Sequence, residues 1–237
     1  GAYARALDLC RSLKRETVDW SPRRVHDSTT IAIGDRLVAQ RDWAQSPLNP
    51  FAAAERAIPP GAWAMSQVKR HNPLKLASDW LDPSSAKFDV SMYQALKSWG
   101  ASEAAIALGH DTNVGYGTSA HDVSALMMYF TERWFARQRD TSPVEAVVRG
   151  GNSSLPEAMA AALGDRVRLG TEVIGIRQQG DIVEVHAVDG RRFLAPRVVV
   201  ALPLPPPRRI RAEPLLAPME LEGIADVPQL RITELQL

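Results

Sequence analysis

A single cysteine, Cys10, stands in the 237 residues, so no disulfide can form within the chain and the fold does not depend on oxidation. It falls among Tyr3, Ala6, Leu7 and Leu13 on one helix-like face, the setting of a buried, inert thiol. No apolar run approaches the ~20 residues a bilayer-spanning helix needs. The opening GAYARALDL lacks a charged start and a long apolar middle, so no secretory leader is read and a cytoplasmic location is expected. Charge of one sign is also lacking. Basic and acidic residues number 28 and 27, a net charge of +1, so no global field directs the chain to nucleic acid or to an anionic membrane. The densest basic cluster, Arg208–Arg209 with Arg211, has no interleaved aromatic platform and reads as a solvated loop and strand edge. HExxH, CxxC, Walker and GxSxG elements are missing, the five histidines have no metal-ligand spacing, and no internal repeat is evident.

What is present is ordinary globular composition, 45% hydrophobic and 23% charged, enough for one large domain or two small ones. Residues 3–14 read as an amphipathic helix. Residues 27–39 contain two β-prone runs around Gly34–Asp35, a hairpin pattern. Residues 46–87 keep returning to aromatic and apolar side chains among Pro, Asn and Ser, which predicts an ordered excursion with short helices. From Ser91 the pattern is helical: Ser91 can cap a helix ended by Gly100, Ser102 can cap the next, and Asp122 a longer one through Leu126, Tyr129, Phe130 and Trp134.

Near Val144 the character changes. VVRGG is a short apolar run ended by Gly150–Gly151, and Ser154 followed by Glu157 has capping-box spacing, with Pro156 tolerated in the first turn. Leu155, Met159 and Leu163 form one helical stripe, and Gly164 suits its end. TEVIGIRQ, DIVEVHAV and RRFLA, separated by turns at Gly180–Asp181 and Asp189–Gly190, predict a β-meander. RVVVALP at 197–203 is apolar on both faces, the pattern of a central strand, and the following prolines stop it. RITELQL reads as one more strand. A strand, a glycine turn and a helix start can form a backbone anion site, or can be a plain connection. Read alone, these features describe an α/β domain with an inserted helical region.

The run VVRGGNSSLPEAMAAALGDRVRLGTEVIGIRQQGDIVEVHAVDGRRFLAPRVVVALPLPPPRRIRAEPLL resembles the middle of the flavin-containing amine oxidase family, which includes monoamine, L-amino-acid and polyamine oxidases. The ordered features are Gly150–Gly151, LGDRVRLGTEVIGI, the hairpin, Val198 to Pro203 and IRAEPLL, over roughly residues 144–237. DWAQSPLNPF and HDVSALMMYF are weaker echoes upstream. The resemblance implies an α/β fold, part of an FAD-binding two-domain amine oxidase with a mixed sheet and helices. A mainly helical substrate region at 1–145 comes first, then the middle of the FAD-binding domain at 146–205 and the start of the substrate-domain sheet at 206–237. It implies FAD as cofactor, with main-chain groups of Val173 at the adenine, Gly150 and Gly151 in a turn passing the cofactor, and Ala201 and Pro203 where a strand end approaches the dinucleotide.

The chemistry the family implies is hydride loss from the α-carbon of a neutral amine or amino acid to flavin N5, imine hydrolysis, and reoxidation by oxygen to hydrogen peroxide. Asn113, Tyr116, Met127 and Met128 are candidate pocket residues by position. Two departures stand out. No strand-led GxGxxG element occurs in these residues. Where many members carry a lysine that bonds a water near the flavin, alignment of the last strand puts Glu234, either facing the site or outward. The expectation is a fragment, or a subunit assembled with the remaining segments of the same oxidase or other chains, with no nucleic acid or membrane partner. A flavin desaturase or protoporphyrinogen-type oxidase on the same fold, and a flavin-free scaffold subunit, are the alternatives. For an amino-acid substrate, Arg149, Lys69, Arg70 or an arginine outside these residues could meet the carboxylate.

Overall fold

The computed structural model describes residues 4–19, 30–117, 119–141, 146–202 and 210–214. They divide into two compact units, Gly1–Met159 and Ala160–Leu237.

The first unit starts with α1 (Ala4–Ser12), whose spacing turns Cys10 inward to 3% exposure. A short strand β1 (Thr17–Asp19) follows, then the hairpin β2 (Thr30–Ile33) and β3 (Arg36–Ala39), closed through Gly34 at φ +60°. The expected excursion is ordered by side chains more than by regular helix. Arg56 donates to three carbonyls, those of Ala44, Ser46 and Asn49, at 2.8, 2.6 and 2.9 Å. Asn49 Nδ2 in turn donates to the carbonyls of Trp43 and Arg56. These bonds satisfy backbone groups that no helix or strand could. On this base sits α2 (Pro60–His71), which turns Trp63, Ala64, Gln67 and Val68 inward, with proline tolerated at its first position and three basic residues in its last turn.

Ser91 opens α3 (Met92–Ser98) with a full capping box: its hydroxyl accepts from the Gln94 amide, and Gln94 Oε1 accepts from the Ser91 amide, both at 3.2 Å. Ser102 caps α4 (Glu103–Gly109). The long α5 (Ala125–Thr141) starts later than the sequence suggests. Ser124, not Asp122, caps it, accepting from the Met127 amide while donating to Asp89 Oδ1 at 2.5 Å. Asp122 lies instead in a turn, its amide bonded to the Ser119 carbonyl. A tertiary partner for Ser124 decides between two adequate capping residues.

The core of this unit gathers Trp43, Phe51, Trp63, Val68, Met92 and Leu96 with Ala125, Leu126, Met128 and Tyr129 of α5. Phe51 stacks on Trp63 at 5.0 Å between ring centroids and 8° between planes, and Trp43 meets Phe51 edge-on. Gly109 allows this: a Cβ there would lie 2.3 Å from Trp63 Cε3. β4 (Ala146–Val148) then returns to pair antiparallel with β1, Val18 opposite Val147.

Helix α6 (Ser154–Leu163) contains the division between units. It starts at Ser154 itself, so the anticipated Ser154–Glu157 capping box is not formed; the Ser154 hydroxyl donates back to the Gly151 carbonyl at 2.8 Å, and the Glu157 amide bonds the Ser153 carbonyl. In the second unit β5 (Val173–Gln179), β6 (Ile182–Ala187) and β7 (Arg192–Ala195) form the expected meander, and β8 (Arg211–Glu213) adds parallel to β5, giving the order β7-β6-β5-β8. The anticipated central strand is not seen: residues 197–202 carry no regular structure, and Val199 is 89% exposed. A strand apolar on both faces needs a neighbour on each side, and among the described residues none pairs with it. The expected strand at RITELQL lies outside the described residues.

Candidate functional site

The turn after β4 is built from both sides. Before it, the Arg149 amide donates to the Glu16 carbonyl at 2.9 Å, and the guanidinium grips the Glu16 carboxylate through Nε and Nη2 at 2.7 and 2.9 Å. That hydrogen-bonded cation holds the Glu16 carboxyl below its usual range, and the carboxylate raises Arg149 in return. Gly150 and Gly151 follow at φ +85° and +99°, a region side chains rarely enter. A Cβ at either would meet nothing within 4 Å. Backbone conformation, not crowding, therefore requires glycine here, and the turn presents open backbone at the start of α6. The Gly151 amide bonds back to the Val148 carbonyl at 3.0 Å and the Ser154 amide to the Gly151 carbonyl at 3.2 Å.

Val173, half-buried, is the first residue of β5. The β5–β6 register shifts between Val173 and Gly175, which takes Ile174 out of the pairing and leaves it 44% exposed. Such a bulge frees main-chain groups of Ile174 from the ladder. Beside it opens a cavity of about 540 Å³ bounded by Ile174, Arg177, His186, Arg211 and Glu213, with Arg177 Nε 2.8 Å from Glu213 Oε2. Ala201 is exposed in the irregular segment; Pro203 and Glu234 lie outside the described residues. Gly150 and Gly151 belong to the first unit, Val173 and Ala201 to the second.

Asn113 and Tyr116 come together in the loop after α4. Asn113 Nδ2 donates to the Gly61 carbonyl at 3.0 Å, its Oδ1 accepts from the Gly115 amide, and the Tyr116 hydroxyl also reaches Gly61 O, at 3.5 Å. Burial pushes the Tyr116 phenol up, so it stays protonated. Met127 and Met128 do not share a surface: Met128 is 4% exposed in the core, Met127 is 43% exposed. Neighbours on a helix point about 100° apart.

A family model for flavin containing amine oxidoreductases matches residues 17–235. The chain belongs to that family. An amine oxidase [flavin-containing] from Danio rerio is 34% identical over 121 residues, 49% of this chain and 23% of that protein. (S)-6-hydroxynicotine oxidase from Paenarthrobacter nicotinovorans is 40% identical over 73 residues, 31% of this chain and 17% of that one. Putrescine oxidase bound to putrescine aligns over 93% of this chain with TM-score 0.61 and 22% identity. Cyclohexylamine oxidase from Brevibacterium oxydans aligns over 94%, with TM-score 0.66 and 19% identity. The chain shares their fold and spans 49% of the length of each of these two structures.

Sequence reading missed one feature near Tyr116. His110 is fully buried, its Nδ1 3.0 Å from Asp111 Oδ1 and its ring 5.3 Å from that of Tyr116, while Nε2 has no hydrogen-bond partner. The adjacent pair in GHDTN was the available signal, but adjacency does not reveal burial. Among the described residues no group of three or more His, Cys, Asp or Glu could hold a metal, and no helix is long and apolar enough to cross a membrane.

Proposed function

We propose that this chain forms the substrate-side helices and part of the cofactor cleft of an FAD-dependent oxidase that deaminates a small amine. The observation that carries the reading is the open Gly150–Gly151 turn between β4 and α6, in a chain matched to the flavin family over residues 17–235. FAD, when bound, supplies the redox chemistry by accepting hydride from the carbon next to the amine nitrogen. Gly150 and Gly151 let the backbone pass close to the nucleotide. Main-chain groups at Val173 hold the adenine, and Ala201 and Pro203 lead the chain toward the dinucleotide. Asn113 and Tyr116, fastened to Gly61, shape the substrate side together with Met127; Met128 supports them from the core. Glu234 occupies the place of the family lysine. On this reading residues 1–145 are the substrate region, 146–205 the middle of the FAD domain and 206–237 the start of the substrate sheet, completed by the remaining segments of the oxidase.

A simple amine is the first class to try, because two of the cations named for a substrate carboxylate already have partners, while Lys69 and arginines outside these residues stay open to an amino acid. The Arg149 fork is taken by Glu16, and Arg70 Nη1 lies 3.0 Å from Glu55 Oε1. Neither is offered to a substrate carboxylate. Putrescine and cyclohexylamine, from the names of the two structural relatives, are the amines to try first.

The test is the visible absorption spectrum of the protein, purified with any chain that accompanies it. A flavin spectrum that bleaches anaerobically with either amine supports the proposal, and oxygen should restore the colour. Bleaching by amino acids alone would overturn the preference for amines. A colourless protein that takes up no added FAD would refute the oxidase reading and leave a scaffold.

A further inference from the structure

The hollow in the second unit has no occupant in the oxidase reading. It measures about 540 Å³, and none of the residues assigned to cofactor or substrate lines it. Small-molecule sites span roughly 300–1,000 Å³, so it has room for one. Its floor is Gly175, inside β5. Cross-strand pairing sets His186 of β6 on one side of Gly175 and Arg211 of β8 on the other. Arg177, two residues along and so on the same face, pairs across to Glu213.

Nothing local asks for a glycine at 175. Its φ lies outside the left-handed region. A Cβ there would stand 3.6 Å from the Arg211 carbonyl oxygen, 3.7 Å from His186 Cβ and 3.9 Å from His186 Cδ2, all ordinary contacts. The neighbouring bulge takes Ile174, not Gly175, out of the pairing. Glycine weakens a strand interior, and apart from bulges and bends it marks a place where a ligand or another backbone comes close.

The charges around this bare position do not balance. Glu213 is taken by Arg177, Nε to Oε2 at 2.8 Å. Glu184 lies 3.1 Å from Arg192 Nη1 and 3.3 Å from His186 Nε2. Arg211 is exposed, and among the described residues no carboxylate pairs with it. The hollow thus holds two arginines against one glutamate, with the edge of the His186 ring and the 44% exposed Ile174 as its less polar walls.

We propose that this hollow binds a small aromatic anion, its carboxylate or phosphate on the Arg211 guanidinium and its ring on the bare backbone at Gly175, between His186 and Ile174. The planar guanidinium fork matches either oxyanion. A cation would enter a site that is already positive, and an uncharged ring would leave Arg211 without a partner. A side chain at 175 would stand where the ring lies.

Benzoate and phenyl phosphate are the probes, and benzamide is the uncharged control. Titrations of the isotopically labelled chain follow the Gly175 amide, the His186 ring and the Arg211 Nε resonances. At least one of the two anions should bind saturably below about 10 mM and move all three, and benzamide should bind at least about tenfold more weakly. Whichever anion binds more tightly names the oxyanion the site takes. Arg211→Met should weaken binding at least about tenfold. Gly175→Ala should weaken it as much while unfolding at no lower temperature than the parent, which separates a ligand notch from a structural glycine. Absence of binding by both anions, equal binding of benzamide, shifts that spare Gly175 and Arg211, or parental affinity in Gly175→Ala would overturn the proposal. Displacement of the anion by adenosine, which carries no oxyanion, would overturn it too, because the hollow would then belong to the adenine end of the cofactor cleft. The shifts in the unaltered chain decide the matter even if a variant does not fold. The readout needs no flavin and no turnover, so its result is independent of the oxidase test.

Discussion

Gly109→Ala sets two magnitudes of opposite sign against each other. Replacing glycine by alanine within a helix usually stabilises, by up to about 1 kcal/mol. Gly109 is the last residue of α4, so its gain falls below that ceiling. Against it stands a Cβ 2.3 Å from Trp63 Cε3, 2.9 Å from Cδ2 and 3.3 Å from Phe51 Cε1, where carbons settle near 3.5–4.0 Å. The ring would have to retreat by more than 1 Å. It has little freedom to do so: Trp63 is 1% exposed, stacked on Phe51, and tied through Nε1 to Glu55. Overpacking of this kind costs about 1–3 kcal/mol, occasionally more. The net expectation is a loss of about 2 kcal/mol, a fall in Tm of roughly 5 °C for a chain of this size. Urea and thermal unfolding measure it. Gly61→Ala is the matched control: exposed in α2 with nothing within 4 Å of its Cβ, it should keep or raise stability. The clash should also shrink in a Trp63→Phe background, giving a positive coupling in the double-mutant cycle. A Gly109→Ala protein as stable as the parent, with no such coupling, would refute the reasoning about a rigid Trp63.

Three further outcomes are expected. Ser91→Ala removes one arm of the α3 capping box and should lower stability by about 1 kcal/mol in urea unfolding. Asn72→Ala should be more damaging, about 2 kcal/mol or more in the same assay, because Asn72 Nδ2 serves both the Tyr129 carbonyl and Glu132, a carboxylate only 3% exposed. Glu55 carries a pH signature. Its folded value is depressed, so its stabilisation is complete above the unfolded value and is lost as pH falls through the folded one. The stability gap between parent and Glu55→Gln should be constant above about pH 5 and close progressively below about pH 4; a gap unchanged down to pH 3 contradicts the assignment.

The elements legible in the sequence were those fixed by near neighbours. The hairpin at Gly34, the caps at Ser91 and Ser102, and the meander turning at Gly180 and Gly190 depend on residues a few positions away. What escaped was decided at a distance. Ser124 wins over Asp122 because Asp89 receives its hydroxyl. The strand expected at 197–203 fails because a two-faced apolar strand is specified by its neighbours, not by itself. The glycines at 150 and 151 were legible as a turn, and their positive φ gives the reason; their openness was not. At His110 only packing reveals a buried ring nitrogen without a hydrogen-bond partner.

The short ladder between β1 and β4, strengthened by Arg149 on Glu16, joins Thr17–Asp19 to Ala146–Val148. Everything from α2 to α5 therefore leaves and re-enters the chain at one place. A module whose two ends meet can be lengthened, shortened or exchanged without disturbing the framework it departs from, since insertion at adjoining termini asks nothing new of the host. This clasp therefore lets the enclosed helices change in length or sequence while the glycine turn that follows it keeps its form.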